Sequence, residues 1–414
     1  MQSVLLLKLF VSLFLSVAAF IVYRYRAIAE EKLSGQPTFS FFVAWGMLRL
    51  LPIVIIYVVL GQEARSDVPM FYNWASAAKQ ALLVYRDFDS PYAPFFSYTT
   101  ALPLFLWDTP NALVFLMAFA EGIVLWLQLT IQTHNQQTIS TTLWEIIIYL
   151  LLPLPFVMVV LSGQEDIWMW GFCLAALWSW QRKHDELLIG IWMGLALLFT
   201  KVLFILVIPG VFFILKRKVR FVLGMAAVGL PVLLWLVAVS GDAFLLPIKQ
   251  AADPRTPNIW TILNPFTAIL IKSNIPTLNT LGLFLLIATS SLIGLRLRKV
   301  SFSVALPTLW ILVYGVMMIV QQSSLSNYAF IYMLPLVSIC LNNWQLKHFV
   351  ILLIFNCLLV VQPPIWWGLN MPLFDQLSDL AIPINLLEYL LEILIIGTIV
   401  YFCNLVWKQA TTAL

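Results

Sequence analysis

Long hydrophobic runs dominate this 414-residue chain, and polar residues collect in the intervening loops. A helix needs roughly 20 apolar residues to cross a bilayer. We predict about thirteen spans, within a range of eleven to fourteen, and a β-barrel does not fit continuous runs of this length. The pattern therefore predicts an all-α polytopic membrane protein, with span centres near residues 13, 50, 121, 151, 173, 193, 208, 230, 287, 312, 334, 355 and 396.

Composition agrees with this class. Hydrophobic residues make up 62% of the chain, charged residues only 10%, and the mean hydropathy is +0.95. A soluble domain carries about 25% charged residues. The net charge of +4 is too small to indicate a nucleic-acid partner. The cysteines lie in apolar runs and are predicted to be core residues, without disulfide or metal roles: Cys173, Cys340, Cys357 and Cys403.

Lys and Arg residues are distributed unevenly between the two sets of loops. Fourteen fall on one set and seven on the other. Because positive loops stay cytoplasmic, we expect the N-terminus outside and the C-terminus inside. The plasma (inner) membrane is the simplest location, and an endomembrane with the same sidedness is the alternative. The first basic cluster follows the first apolar run, which is typical of a signal anchor.

We expect one integral-membrane domain, residues 1–414, with no separate soluble domain. Residues 1–39 form an additional N-terminal span and a basic inner loop. The long outer loops are predicted at 61–110, 240–276 and 362–385, and the first is expected to contain short amphipathic or juxtamembrane helices. Eleven of the 19 acids fall outside and all three histidines inside. A site on this protein should face outward and use no histidine.

Asp67 is the first candidate catalytic residue, because it follows the second span by only a few residues. A carboxylate at the water–lipid boundary can take a proton from a hydroxyl nucleophile. The alternative is an ordinary solvated loop acid. Glu63, Asp87 and Asp89 compete for the same role.

The segment YRDFDSPYAP continues this loop. Arg86 can bind phosphate through its planar guanidinium. Tyr85 and Tyr92 offer apolar faces with hydroxyl groups, which suit stacking on a sugar. An aromatic belt at the membrane surface is the alternative.

The turn GQED closes the outer end of the fourth span. Gln164, Glu165 and Asp166 are suited to hydrogen bonds with sugar hydroxyls. An ordinary capped turn, with Asp166 as the N-cap of the next helix, is equally consistent.

Lys201, in LLFTK, lies at the predicted outer end of the sixth span. A lysine near lipid is costly unless it snorkels or meets an anion, and a lipid phosphate is such an anion. Lys249 and Arg255 add positive charge at a similar depth.

Four acidic side chains and one arginine fall within predicted spans. Arg49 is predicted to pair with Glu121 or Glu145 and so to lock helices together. Glu388 and Glu392 lie one turn apart in the last span. They are expected to form either a proton or cation path or a buried structural pair.

The chain resembles the GT-C superfamily of integral-membrane glycosyltransferases, which use polyprenyl-phosphate-linked sugars. The similarity runs from roughly residue 40 to 340 and follows bacterial mannosyltransferase-like members. It rests on Asp67 in RSDVPMFYNW, on the YRDF…PYAP segment, on the turn at Gln164, on Lys201 in LLFTK, and on SNYAFIYMLPL, which contains Tyr328. The chain differs from some members in three ways. Its first loop has a single acid at Asp67 where they have an adjacent acidic pair, and one additional span precedes the helix that normally comes first. We also expect no large soluble C-terminal domain.

The resemblance implies a GT-C-like fold and an inverting transfer of a sugar to a hydroxyl acceptor, a glycolipid or cell-surface glycan. Asp67 would be the base, and Lys201, Arg86 and Arg255 would bind the donor phosphate. No cofactor is required, and a divalent cation on Asp67 and a second carboxylate stays an alternative. The residues expected at the sugar or acceptor are Tyr85, Tyr92, Gln164, Glu165, Asp166 and Tyr328.

Two rival functions stay open. A lipid-linked saccharide transporter or flippase would need ionisable residues spread along its spans. A polysaccharide polymerase or ligase would share the outer loops. The concentration of reactive side chains on one face of this chain favours the transferase.

Overall fold

The computed structural model describes residues 2–134, 138–246, 253–267, 271, 274–340 and 345–412. Within these ranges the regular structure is helical, and the single strand-type pairing is an isolated bridge between Val84 and Phe88. Lys249, to which the sequence assigns positive charge on the outer side, lies outside the described residues.

We number the longer helices in chain order. The first half comprises α1 (Gln2–Arg24), α2 (Arg26–Gly35), α3 (Pro37–Val59), α4 (Val68–Lys79), α5 (Phe96–Ala101), α6 (Pro110–His134), α7 (Ile139–Leu151), α8 (Pro153–Leu161) and α9 (Ile167–Lys183). The second half comprises α10 (Glu186–Phe199), α11 (Val202–Ile214), α12 (Lys218–Ser240), α13 (Ile259–Thr267), α14 (Ile275–Leu297), α15 (Phe302–Val320), α16 (Phe330–Cys340), α17 (Leu346–Gly368) and α18 (Pro383–Thr412).

Every predicted span centre falls within one of these helices. Among the described residues, eight helices are long and apolar enough to cross a membrane by themselves: α1, α3, α6, α12, α14, α15, α17 and α18. The number is nine if the bent pair α7 and α8 counts as one span. Helix α10 has 14 residues and so rises about 21 Å, short of a hydrocarbon core of about 30 Å. The multi-pass helical architecture is therefore established, whereas the count of thirteen stays a prediction.

A proline produces the bend of 66° between α7 and α8. Leu152, directly before Pro153, has extended backbone angles (φ −68°, ψ 138°). The proline ring disfavours the helical conformation of the residue before it, so α7 ends there and α8 starts in a new direction. This bend directs α8 towards the turn at 162–166.

A buried ion pair connects α3 with α6, as predicted. The Arg49 guanidinium lies 2.6 Å and 3.1 Å from the two carboxylate oxygens of Glu121, and both side chains are fully buried. A third nitrogen of Arg49 donates to the carbonyl of Leu150 at 2.9 Å, where α7 ends. One arginine thus links three helices through charge-assisted hydrogen bonds.

The loops predicted to share one side of the membrane do meet. Segment 91–95 bonds to the end of α10, with Ala93 N to Thr200 O at 3.2 Å and Phe95 N to Leu198 O at 2.9 Å. Asn264 donates to the Asp375 carboxylate at 2.7 Å and so joins two further loops. The first loop also forms the short helices α4 and α5, as expected. The contacts bring these loops together, and their sidedness stays a prediction.

We expect Arg49→Met to destabilise the protein by about 3–5 kcal/mol, because it leaves the Glu121 carboxylate buried without its partner. Thermal unfolding in detergent, compared with the double variant Arg49→Met/Glu121→Gln, measures this effect. The double variant should recover part of the loss. The matched control is Arg220→Gln, which breaks the partly exposed pair with Asp185 and should cost at most about 1 kcal/mol. Equal losses for the two arginine variants would contradict the account.

Candidate functional site

A cavity of about 650 Å³ opens where these loops meet. Its walls come from the start of α4, the turn between α8 and α9, the junction of α10 and α11, the segment before α13, and the segment between α15 and α16. Six of the ten site residues predicted from the sequence line it: Asp67, Tyr92, Gln164, Lys201, Arg255 and Tyr328.

Asp67 occupies the N-cap position of α4 but does not cap it. Its carboxylate instead accepts a hydrogen bond from Gln164 Nε2 at 2.9 Å. Ser66, directly before it, has a positive φ of 61°, a conformation that is uncommon for a residue with a side chain. The local backbone therefore turns the carboxylate away from the helix and towards the cavity lining.

Gly163 brings Gln164 close enough to make this bond. Its φ is +56°, and a Cβ atom there would lie 2.5 Å from Val68 Cγ2. Only glycine combines the left-handed conformation with so close an approach. The Gln164 N–H donates to the carbonyl of Met158 at 2.8 Å and closes the turn.

Lys201 lies between two buried carboxylates. Its ammonium group is 2.7 Å from Glu165 Oε1 and 2.6 Å from Asp166 Oδ1. Both acids are 1% exposed, whereas the lysine side chain is 14% exposed and reaches the cavity lining. Asp166 starts α9 without capping it, because its carboxylate is directed to Lys201. The two acids thus lie behind the lysine.

The charges of this triad decide how much positive potential reaches the cavity. Burial raises the pKa of Glu165 to about 7; Lys201 opposes this rise, and the neighbouring Asp166 adds to it. Burial alone lowers the pKa of Lys201, but Asp166 and Glu165 outweigh burial and hold it well above its usual range. Lys201 is therefore charged, and the two carboxylates in contact with it compensate its charge.

Tyr92 forms an aromatic wall beside Lys201. Its buried ring stacks on Phe96 at 4.3 Å between centroids, and the Lys201 ammonium lies 5.3 Å from its centre. Tyr328 presents a second ring 5.9 Å from the same ammonium. Both distances fall within the range of cation–π attraction. The rings fix the lysine and offer π-faces to the cavity.

Arg255 is held in place through its backbone. Its N–H donates to the Gln322 carbonyl at 2.9 Å, and Asn258 Nδ2 donates to the Arg255 carbonyl at 2.6 Å. Asn258 also accepts hydrogen bonds from the N–H groups of Trp260 and Thr261 and so caps α13. In the described part of the chain, no carboxylate lies within 4 Å of its guanidinium. Arg255 therefore brings the less compensated positive charge to the cavity.

Two predicted site residues lie away from the cavity. Arg86 is exposed and forms a bidentate pair with its neighbour Asp87, with both distances 2.8 Å. This contact lowers the pKa of Asp87 to about 2. Tyr85 has a positive φ of 66°; its buried ring packs against Leu236 of α12, and its hydroxyl donates to the Tyr92 carbonyl. Tyr85 supports Tyr92 and does not face the cavity.

Sequence reasoning missed five polar residues that line the cavity: Asp253, Gln321, Ser323, Ser324 and Asn327. Asp253 lies two positions from Arg255, and Asn327 directly precedes Tyr328, so neighbourhood in sequence could have indicated both. Among the described residues, no group of three or more His, Cys, Asp and Glu side chains is placed to hold a metal ion.

Comparison with known proteins does not assign the chain to a family. No protein-family model matches it, and no curated protein is significantly similar to it.

The raised pKa of Glu165 predicts a pH dependence of stability. Because the folded protein holds this proton more tightly than the unfolded chain, the stabilising contribution is full below about pH 4.5 and is lost as the pH rises to about 7. The thermal midpoint of wild type should therefore fall as the pH rises through this range. In Glu165→Gln, which cannot lose this proton, the fall should be smaller.

Thermal midpoints of wild type and Glu165→Gln between pH 4.5 and 8 measure this effect. Asp89→Asn, which changes an exposed acid of the first loop, is the control and should follow wild type. Parallel curves for wild type and Glu165→Gln would disprove the assignment.

Proposed function

We propose that the protein is an inverting membrane glycosyltransferase. It moves one sugar from a polyprenyl-phosphate donor to a hydroxyl acceptor, a glycolipid or cell-surface glycan, at the outer face of the plasma membrane. The observation that carries this proposal is the cavity itself. It combines a carboxylate oriented by an amide, Asp67 with Gln164, and Arg255, a cation that forms no ion pair with the described carboxylates.

Asp67 acts as the general base. It takes the proton of the acceptor hydroxyl while that oxygen attacks the anomeric carbon of the sugar. The bond from the anomeric carbon to the phosphate oxygen breaks at the same time, and the polyprenyl phosphate leaves as an anion. The hydrogen bond from Gln164 holds the carboxylate in one orientation, which keeps the base close to the acceptor hydroxyl.

Arg255 and Lys201 stabilise the leaving phosphate. A phosphate leaving group gains negative charge as the bond breaks, and fixed cations lower the energy of that state. Arg255 supplies the larger part, because Asp166 balances Lys201. Arg86 takes no part in this step, since it is paired with Asp87 away from the cavity.

The sugar lies against Tyr92 and Tyr328. Aromatic faces suit the apolar side of a sugar ring, and the free hydrogen-bonding capacity of Gln164 suits its hydroxyls. Glu165 and Asp166 are positioning residues, because they hold Lys201 from behind and do not line the cavity.

The polar partners of three ionisable side chains in the helices favour this function over a transporter. Arg49 is closed by Glu121, Glu388 accepts from Gln362 at 2.5 Å, and Glu392 accepts from Thr261 at 2.6 Å. A transport path needs ionisable groups that a substrate can reach along the spans. The reactive groups collect instead at one end of the helices.

We expect Asp67→Asn to bind donor as wild type does and to lose turnover about a hundredfold or more, since general-base catalysis contributes about 10²–10⁴-fold. Release of free polyprenyl phosphate from a panel of polyprenyl-phosphate sugars in liposomes measures turnover. The matched control is Asp89→Asn, an exposed carboxylate of the same loop, which should keep full activity. Full activity of Asp67→Asn would show that Asp67 is not the general base.

Arg255→Gln should weaken donor binding about tenfold to a hundredfold, because it removes a charge-assisted contact worth about 1.5–3 kcal/mol. Binding of a labelled donor to the Asp67→Asn background measures affinity without turnover. Arg86→Gln is the control with the same chemical change and should bind donor normally. The phosphate assignment fails if both arginine variants lose affinity equally.

A further inference from the structure

A second cavity, of about 710 Å³, adjoins the first. Asp67 and Asn327 line both cavities. The proposed base is therefore accessible from both cavities. The donor occupies the first cavity in the proposed function, which leaves the second free for another molecule.

The second cavity is largely apolar and is built by helices. Its walls come from α1, α3, α8 and α17, and α1 packs against α7, α8 and α17. Three of its apolar side chains are widely exposed, namely Leu7 (55%), Leu60 (61%) and Trp367 (47%). Because Leu7 and Trp367 belong to membrane-spanning helices and Leu60 directly follows one, the cavity opens towards lipid. An occupant of this cavity enters from the bilayer.

One lysine within this wall lacks a compensating charge. Lys8 lies on α1, and in the described part of the chain no carboxylate comes within 4 Å of its ammonium. Arg65 and Glu63, both exposed, contribute one positive and one negative charge at the rim. A lysine in an apolar helix is costly unless it meets an anion, so Lys8 marks the place of a negatively charged group.

We propose that this cavity binds a membrane lipid with a phosphate-containing, anionic headgroup, and that this lipid is the sugar acceptor. Its phosphate contacts Lys8, its chains lie along the apolar residues of α1 and α17, and a headgroup hydroxyl reaches Asp67. The assignment as acceptor rests on the proposed function, whereas the binding of the lipid does not. The phosphate of the donor lies on the opposite side of Asp67, near Arg255.

Photocrosslinking tests the binding directly. The full-length protein is reconstituted in phosphatidylcholine vesicles with a trace of photoactivatable phosphatidylglycerol, which has a phosphate and free headgroup hydroxyls, or of photoactivatable phosphatidylcholine. Labelled peptides are mapped by mass spectrometry. We expect phosphatidylglycerol to label α1 and α17 next to the cavity about tenfold more than phosphatidylcholine, as one charge-assisted contact allows.

Lys8→Gln should reduce the labelling by phosphatidylglycerol to the level of phosphatidylcholine, and Arg86→Gln should leave it unchanged. Leu7→Trp places a larger side chain at an exposed position of the wall and should block the cavity although Lys8 is retained. This second variant keeps the test valid if Lys8→Gln fails to fold. Equal labelling by both lipids, or unchanged labelling of Lys8→Gln, would overturn the proposal.

Lipid labelling and donor turnover of the wild-type protein, measured in the same vesicles, separate this inference from the proposed function. Loss of selective labelling with donor turnover intact rejects the lipid site alone. Selective labelling without any donor turnover supports the lipid site and counts against the transferase.

Discussion

The ammonium of Lys201, held between Glu165 and Asp166, is the interaction on which the rest of the site depends. It ties the turn between α8 and α9 to the junction of α10 and α11, with nitrogen–oxygen distances of 2.6–2.7 Å. Burying three ionisable groups is expensive unless they satisfy one another. Once this turn is fixed, Gln164 is fixed with it, and the orientation of Asp67 follows.

This arrangement explains why the chemistry collects at one end of a helical membrane protein. Within the spanning helices, Arg49 and Glu121 satisfy each other as a buried pair. At the loop end, two cavities share Asp67. A reaction between two amphiphiles needs such a place, where two lipid-linked groups meet at one base without either leaving the membrane.

Much of the architecture could be predicted, because long apolar runs dictate helices and every expected centre lies in one. The sequence also grouped Asp67, Gln164 and Lys201 into one candidate site, and all three line the first cavity. The placements of Arg86 and Tyr85 could not be foreseen, since a pair with the next residue and a positive φ at Tyr85 decide them locally. The second cavity depends on how α1 packs against α17, which no periodicity within either helix encodes.

The most direct test of the central claim uses one donor with two labels, ³²P in the phosphate and ³H in the sugar. The wild-type protein in liposomes is incubated with this donor, and the two labels are followed separately. A transferase breaks the bond between sugar and phosphate, so the account predicts that ³H leaves the polyprenyl phosphate while ³²P stays with it. If both labels instead cross the bilayer together on the intact lipid, the protein is a transporter and the account is wrong.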